Sequence, residues 1–441
     1  MADLTVEALG PLLGATEPAQ LLPEGHEAIA VSSPLALLGA VPLGRGVWLT
    51  AIRTGSGGLV CAPVVRNGSQ LRRARPGDGA AVQLIAALAE RPDDWSVEFE
   101  VLAINEPLAT SADVIPSAER PMLVDQTHES VVIADEVVVK WSVAAEATPA
   151  PALVAHLAQA GFTQMARPLG FVQLRSAGES VLLASAVEFL EAAEDGWKWA
   201  VGDAGAFATG RASQAQTTTA LGEVGRLIAD LHVALTTPSL VISHPTVIAR
   251  AEDVVGWQSF AESLLDEVIE CVDGSEGERL RAREPRIRAA LAQLSEVPQA
   301  VTIPVHGDLH VGQVLRWAGG LAVGDFDGNP VLPVSERLSP QPAARDVAGM
   351  LQSIDHVGRV VNRRVEGSDP DKVTAWIAAA QEVFLDSYRA TLKRVGSDEL
   401  FDERLLRPLQ VEQECREFLY AVRHLPRWRY VPDQALEALF P

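Results

Sequence analysis

The stretch VHGDLHVGQVLR, Val305 to Arg316, sets Asp308, two histidines and Gln313 in a mostly apolar run. A second stretch, GDFDGNP, Gly324 to Pro330, begins eight residues on and adds two aspartates between apolar residues and glycines. Three readings compete: a metal-assisted catalytic loop, a zinc site, and a polar strand-turn-strand.

The spacing favours the first. Phosphoryl transfer needs a carboxylate that orients the attacking hydroxyl and accepts its proton, together with oxygen ligands for the Mg²⁺ that bridges nucleotide phosphates. In such catalytic loops the aspartate base precedes a metal-binding amide by five positions. Asp308 and Gln313 reproduce that interval, with Gln where Asn is usual, and Asp325 follows an apolar run as the second metal ligand. Zinc would use His306 and His310, but Gly307 favours an extended run and a turn, and no third ligand lies nearby in sequence. The two histidines read as supports that hydrogen-bond the loop backbone and hold Asp308. Asp327, before Gly328, reads as a turn-former.

The chain has 441 residues, enough for two or three domains. Its net charge of −22 argues against nucleic acid or an anionic membrane as partner. The three cysteines, Cys61, Cys271 and Cys415, fit no metal spacing and cannot all pair. The first residues lack a signal-peptide pattern and no apolar run is long enough to span a membrane, so a cytoplasmic protein is expected. Only four lysines occur, Lys140, Lys198, Lys372 and Lys393, so a lysine that lands in a lysine-specific role carries weight.

Residues 26–103 alternate short apolar runs with turn signals: EAIAVSS, GVWLTAI, GLVCAPVV, a helical AAVQLIAALAE, then SVEFEVLAI. They suggest a small α+β unit. NEPLATSADVIPSAERP, from Asn105, reads as a linker. MLVDQ, the hairpin SVVIADEVVVK, the helix PAPALVAHLAQA, then FVQL and SVLLASAVEFLE predict a five-stranded sheet with one helix. From Gly196 the pattern turns helical and ends in three long amphipathic segments, ARDVAGMLQSIDHVGRVV, VTAWIAAAQEVFLDSYRATL and PLQVEQECREFLYAVRHL.

H-G-D-L-H with a following D-F-D resembles the aminoglycoside-phosphotransferase and protein-kinase-like superfamily. The longer pattern HGDLHVGQVLR, GDFDGNP and RDVAGML resembles its maltokinase and actinobacterial glucosamine kinase group, from about Met122 to Trp428. The resemblance implies an α+β bilobal kinase-like fold: a cap over residues 1–105, a β-rich nucleotide-binding lobe over 106–190 and a helical catalytic and acceptor lobe over 191–441. It implies ATP and Mg²⁺, with Asp308 as catalytic base and Gln313 and Asp325 as metal ligands. Lys140, ending the run VVVK, stands where kinases contact nucleotide phosphates; the other reading is a strand-end lysine with its head in water. The helix acid that usually pairs with this lysine is replaced by Ala152, so either Glu146 substitutes or the pair is absent. Glu188 and Leu190 flank a hinge whose backbone would bind adenine, and the turn Asp125 to Ser130 would cover the phosphates. Arg345 and Asp346 are implied as structural anchors.

The resemblance implies an acceptor site between the catalytic loop and the carboxyl-terminal helices, which brings in the last long helix. Gln410 and Glu414 are four apart, Glu414 and Glu417 three apart, and Gln413, Glu417 and Tyr420 lie on an adjoining stripe. Trp428 could stack on a sugar ring; the other reading is a solvated acidic face with a core tryptophan. Maltokinase-like sequences differ at Gln413-Glu414-Cys415-Arg416 and read D-F-E-G-E-P where this chain has DFDGNP. The carboxylates favour a cationic acceptor, which among the resembling groups the glucosamine kinases use; the resemblance thus implies D-glucosamine phosphorylated at the 6-hydroxyl, with Asp308 touching the sugar as well. Maltose, an aminoglycoside and a non-catalytic binding role are the alternatives.

Overall fold

The computed structural model describes residues 5–24, 31–90, 95, 98–105, 116–122, 128–176 and 178–441. The chain divides into two compact units. The first comprises residues 1–158 and 166–191; the second comprises 159–165 and 192–441.

The first unit opens with helix α1 (Val6–Gly14) and a four-stranded antiparallel sheet: β1 (Ala36–Gly44), β2 (Val47–Arg53), β3 (Leu59–Asn67) and β4 (Gln70–Arg73). Helix α2 (Ala80–Glu90) follows, its first turn held by the buried carboxylate of Glu119, which accepts the N–H groups of Gly77, Gly79 and Val82. An anion at the N-terminal end of a helix satisfies donors that have no partner within the helix. Next come β5 (Phe99–Ala103), β6 (Glu119–Met122), β7 (Glu129–Ile133), β8 (Val137–Trp141), helix α3 (Ala150–Gln159), β9 (Pro168–Ser176) and β10 (Glu179–Glu188). Their sheet has six strands in the order β5-β9-β10-β8-β7-β6.

Three expectations shift here. The run EAIAVSS lies largely outside the described residues, and β1, which carries Gly39 and Pro42 and so looks broken in sequence, forms an edge strand instead. The run containing β5 pairs with β9 (Val101 opposite Val172) and so belongs to the second sheet, giving six strands rather than five. The expected linker from Asn105 has residues 106–115 outside the described region, and its last residues form part of β6. The hairpin stands as read: Ala134 and Asp135 take φ of 51° and 56°, and the Glu136 N–H donates to Ile133 O at 3.0 Å. One apolar core, with Leu49, Leu84, Phe99, Val139, Val172 and Leu183, draws on both sheets.

The second unit contains α4 (Gly196–Ala208), α5 (Gln214–Leu235), β11 (Val247–Arg250), α6 (Ala251–Cys271), α7 (Gly274–Ala292) and β12 (Gln299–Thr302). Hairpin β13 (Val314–Trp317) and β14 (Gly320–Val323) follows, then α8 (Val334–Arg337), α9 (Ala344–Arg364), α10 (Pro370–Val395), α11 (Leu406–His424) and α12 (Tyr430–Leu439). Helix α10 shows how its sequence fixes it. Asp369 caps the N–H groups of Asp371 and Lys372, Pro370 occupies the first turn, and Gly396 ends the helix at φ 72°. Its apolar stripe, Val373, Trp376, Ile377, Ala380, Phe384 and Tyr388, is buried, against α5 and α9 among others. Among the described residues no helix is long and apolar enough to cross a membrane.

Candidate active site

The segment after β12 carries Asp308, and its backbone is pinned from beneath. Asp346, in the first turn of α9, accepts the N–H of His306 on Oδ2 and of Gly307 on Oδ1, each at 2.9 Å. His232 of α5 places Nε2 3.2 Å from the same Oδ2 and Nδ1 2.8 Å from the Tyr388 hydroxyl. Burial pushes the Asp346 carboxyl up, but hydrogen bonds and the histidines outweigh it and hold its pKa below the ordinary value. Two glycines allow the helices to come close. A Cβ on Gly349 of α9 would sit 2.6 Å from Leu309 O, and one on Gly196 of α4 1.5 Å from Val311 O.

The histidines hold backbone. His306 Nε2 donates to Gly324 O at 2.9 Å, while its Nδ1 faces the Asp308 N–H at 3.4 Å. His310 Nδ1 accepts the Gly312 N–H at 3.0 Å and so starts the single turn Val311–Gln313. Burial drives the His310 pKa down to about 4. A buried hydroxyl, Ser353 Oγ, takes the Val311 N–H at 3.0 Å.

The β13–β14 hairpin explains how two polar residues twelve apart in sequence, Gln313 and Asp325, can meet. Val314 pairs with Val323, and the Gly324 N–H donates to Gln313 O at 2.9 Å, so Gln313 and Asp325 leave the hairpin side by side. Gln313 Nε2 lies 3.2 Å from Asp325 Oδ2. Asp325 is exposed and takes φ 61°, a backbone shape uncommon outside glycine, asparagine and aspartate. An amide and a carboxylate at an open position are the donor set that Mg²⁺ takes alongside waters and phosphate oxygens. Rotation of the Gln313 amide would present its oxygen in place of Nε2, so these residues fit the ion.

Asp308 is half-buried, and burial raises its pKa to about 6, against the lowering influence of His306 and Arg416 and with Asp325 and Asp346 adding to the rise. Its Oδ1 accepts a hydrogen bond from Asn329 Nδ2 at 3.1 Å. It lines a cavity of about 240 Å³ with Trp197, Gln352, His356, Gln413, Arg416, Glu417, Tyr420 and Trp428. Trp197 and Trp428 meet edge to face, 6.1 Å between centroids, and Gln413 Nε2 donates to Glu417 Oε1 at 3.1 Å.

Of the expected acceptor residues, Asp308, Glu417, Tyr420 and Trp428 line this cavity. Gln410 and Glu414 do not, because their stripe of α11 is turned away from it. Glu414 is fully buried and takes hydrogen bonds from Gln352 and from His356, whose Nε2 is 3.0 Å away. The adjoining stripe, Gln413, Glu417 and Tyr420, faces the cavity instead. Sequence reasoning passed over Trp197, Gln352, His356 and Asn329. The paired tryptophans of DGWKWA and the polar Gln352 and His356 in an amphipathic helix were the available signals. Arg345 forms a bidentate pair with buried Glu412 (2.6 and 3.3 Å), which also holds Arg416.

In the first unit, Lys140 on β8 is opposite Ser130 on β7 and Ser185 on β10, so the three side chains share one face of the sheet. Glu188 ends β10, its N–H bonded to Arg167 O at 2.9 Å, and the Phe189 N–H bonds to Glu136 O at 2.8 Å. Leu190 is buried. Of the turn expected to cover phosphates, residues Asp125 to Thr127 lie outside the described residues.

Residues 138–378 match the family described as "Phosphotransferase enzyme family". The chain belongs to this family. This phosphotransferase is 45% identical over 438 residues to the glucosamine kinase of Streptacidiphilus jiangxiensis, covering 98% of the chain and 97% of that protein. It is 38% identical over 371 residues to the glucosamine kinase of Mycolicibacterium smegmatis, covering 83% and 90%. A solved glucosamine kinase in complex with glucosamine, ADP and inorganic phosphate matches it with a TM-score of 0.82 at 45% identity, over 98% of this chain and 99% of that one. A second solved form of glucosamine kinase gives a TM-score of 0.85 at 44% identity, over 98% and 99%.

Proposed function

We propose that this phosphotransferase uses ATP to phosphorylate D-glucosamine at the 6-hydroxyl, yielding glucosamine 6-phosphate, ADP and a proton. The observation that carries the substrate is the near-full-length similarity to glucosamine kinases, one of them solved with glucosamine and ADP. The acceptor cavity supports it on independent grounds. At about 240 Å³ it has room for a sugar ring beside Asp308. Glu417 and the amides of Gln413 and Gln352 suit hydroxyls and an ammonium, and the Trp197–Trp428 corner offers a face for the ring.

In this reading Asp308 accepts a hydrogen bond from the sugar hydroxyl, aligns its oxygen with the γ-phosphorus and takes the proton as the bond to ADP breaks. Mg²⁺, when bound, offsets phosphate charge. Gln313 and Asp325 would hold it, and Lys140 would contact the phosphates, with Ser130 beside it. The backbone at Glu188 and Leu190 would receive adenine. Alignment and charge stabilisation supply most of the acceleration, because a loose transition state asks little of the base. His306, His310, Arg345 and Asp346 act by fixing the loop. Residues 1–105 serve as a cap, 106–190 as the nucleotide-binding part and 191–441 as the catalytic and acceptor part, in a cytoplasmic enzyme.

Incubation with Mg-ATP and a panel of glucosamine, glucose, maltose and an aminoglycoside, followed by ADP release and ³¹P NMR of the product, tests the assignment. Turnover on maltose or on the antibiotic, with none on glucosamine, would overturn it.

A further inference from the structure

We infer that Asn329 is a positioning residue for the reaction: its side-chain amide grips one oxygen of the Asp308 carboxylate and leaves the other to face the acceptor hydroxyl. The inference rests on the kinase reading above and adds a residue to it.

The geometry fixes which way the amide points. Asn329 is 93% buried, since its relative exposure is 7%. Its Oδ1 accepts the Val331 N–H at 3.1 Å, and its Nδ2 lies 3.1 Å from Asp308 Oδ1. A flipped amide would set oxygen against the carboxylate and nitrogen against the Val331 N–H, losing both bonds. The amide is therefore locked as a donor toward Asp308. Among the described residues no other side chain hydrogen-bonds that carboxylate. His306 has both ring nitrogens engaged by the backbone, and Arg416 is held by Glu412.

Asn329 also stands where two cavities meet. It lines the acceptor cavity and a second one of about 560 Å³, walled by Trp257, Phe260, Gly307 and Arg416. Without the amide bond, the Asp308 carboxylate would have no side chain to fix its rotation. The titratable and charged groups around Asp308 are His306, Asp325, Arg416 and Asp346. A donor that bonds the ionised carboxylate offsets part of the burial that raises its pKa.

The test uses the full chain with Asn329→Ala and the near-isosteric Asn329→Asp, following kcat and KM for glucosamine and ATP from pH 5 to 9, with Tm as the fold control. For Asn329→Ala, kcat is expected to fall about 10- to 100-fold while the glucosamine KM changes less than about threefold. Asn329→Asp sets a second carboxylate against Asp308 and moves the acid limb of kcat up by about one pH unit or more. Titration of Asp308 by ¹³C carboxyl NMR in wild type and Asn329→Asp gives a readout that needs no turnover. An unmoved acid limb together with an unmoved Asp308 titration overturns the inference, as does a loss of activity that merely follows Tm. If glucosamine is not a substrate while another sugar is, the substrate assignment fails alone, and the same variants are measured on that sugar.

Discussion

Asp346 Oδ1 accepts the backbone N–H of Gly307 at 2.9 Å, one residue before Asp308. Its other oxygen takes the His306 N–H and faces His232, so a buried charge has three polar partners. Asp346→Asn loses that charge and one of the two acceptor oxygens. It is expected to cost about 2–4 kcal/mol of stability and to lower kcat at least about tenfold. Because its pKa is lowered in the folded state, its contribution is present above the unfolded carboxylate range and is lost as pH falls through the folded value. Denaturation of both proteins at pH 7 and in acid measures this: the difference between them should shrink toward low pH.

His356, in the wall of the cavity beside Asp308, forms a buried pair with Glu414. Burial pushes the His356 pKa down, but the Glu414 carboxylate raises it to about 9. Burial also raises the Glu414 pKa to about 7, so the stability from this charge is present where that carboxylate is ionised and is lost as pH rises through about 9. His356→Gln leaves Glu414 without its cation and is expected to cost about 3–5 kcal/mol at neutral pH. Its Tm should also decline less than that of the wild type between pH 8 and 10. A parallel decline would show that the pair carries no charge.

These two anchors were only partly legible in sequence. The nearness of Gln313 and Asp325 was legible from spacing, because a hairpin converts sequence separation into register: Gln313 and Gly324 face each other across β13–β14. Ser130 and Lys140, expected from the resemblance and from position in the chain, are cross-strand neighbours. Local signals fail where placement depends on distant packing. Helical periodicity gave two acidic stripes on α11 and no means to decide which met the cavity; the seating of α9 decides it, through Gln352 and His356. Asn329 gave no signal because its role depends on the meeting of two loops. β5 pairs by tertiary context, and β1 was masked by Gly39 and Pro42.

Gln313 and Asp325 are expected to govern the metal requirement. Chelation of Mg²⁺ should abolish transfer, and its restoration should recover it. Gln313→Ala should raise the Mg²⁺ concentration for half-maximal activity about tenfold while leaving the limiting rate within about tenfold of wild type. Asp325→Asn removes the anionic ligand and should lower the rate by about 10²–10³ at any Mg²⁺ concentration. Equal Mg²⁺ dependence in all three proteins would remove these residues from the metal site.

Glu417 and Trp428 should control the acceptor and not the nucleotide. Loss of a charged hydrogen-bond partner in Glu417→Gln is expected to raise the glucosamine KM about 10- to 100-fold. Trp428→Ala should raise it about tenfold through lost stacking area. The ATP KM should stay within about twofold in both. A matching rise in both KM values would point to damage to the fold.

Asp308 offers the sharpest test, since its protonation state and its role are linked. Burial raises its pKa to about 6, and only the ionised carboxylate can accept the hydroxyl proton. Activity is therefore expected to fall as pH drops through about 6 and to level off above it. Occupation of Asp325 by Mg²⁺ removes one of the charges that raises the pKa, so saturating metal should shift the limb to lower pH. Asp308→Asn keeps the shape and can still donate or accept one hydrogen bond, yet cannot take the proton. It should lower kcat by about 10²–10⁴ while nucleotide binding, followed by calorimetry, stays near wild type. A retained rate in Asp308→Asn would require a different base, and an unshifted acid limb at saturating Mg²⁺ would show that Asp325 does not act on this carboxylate.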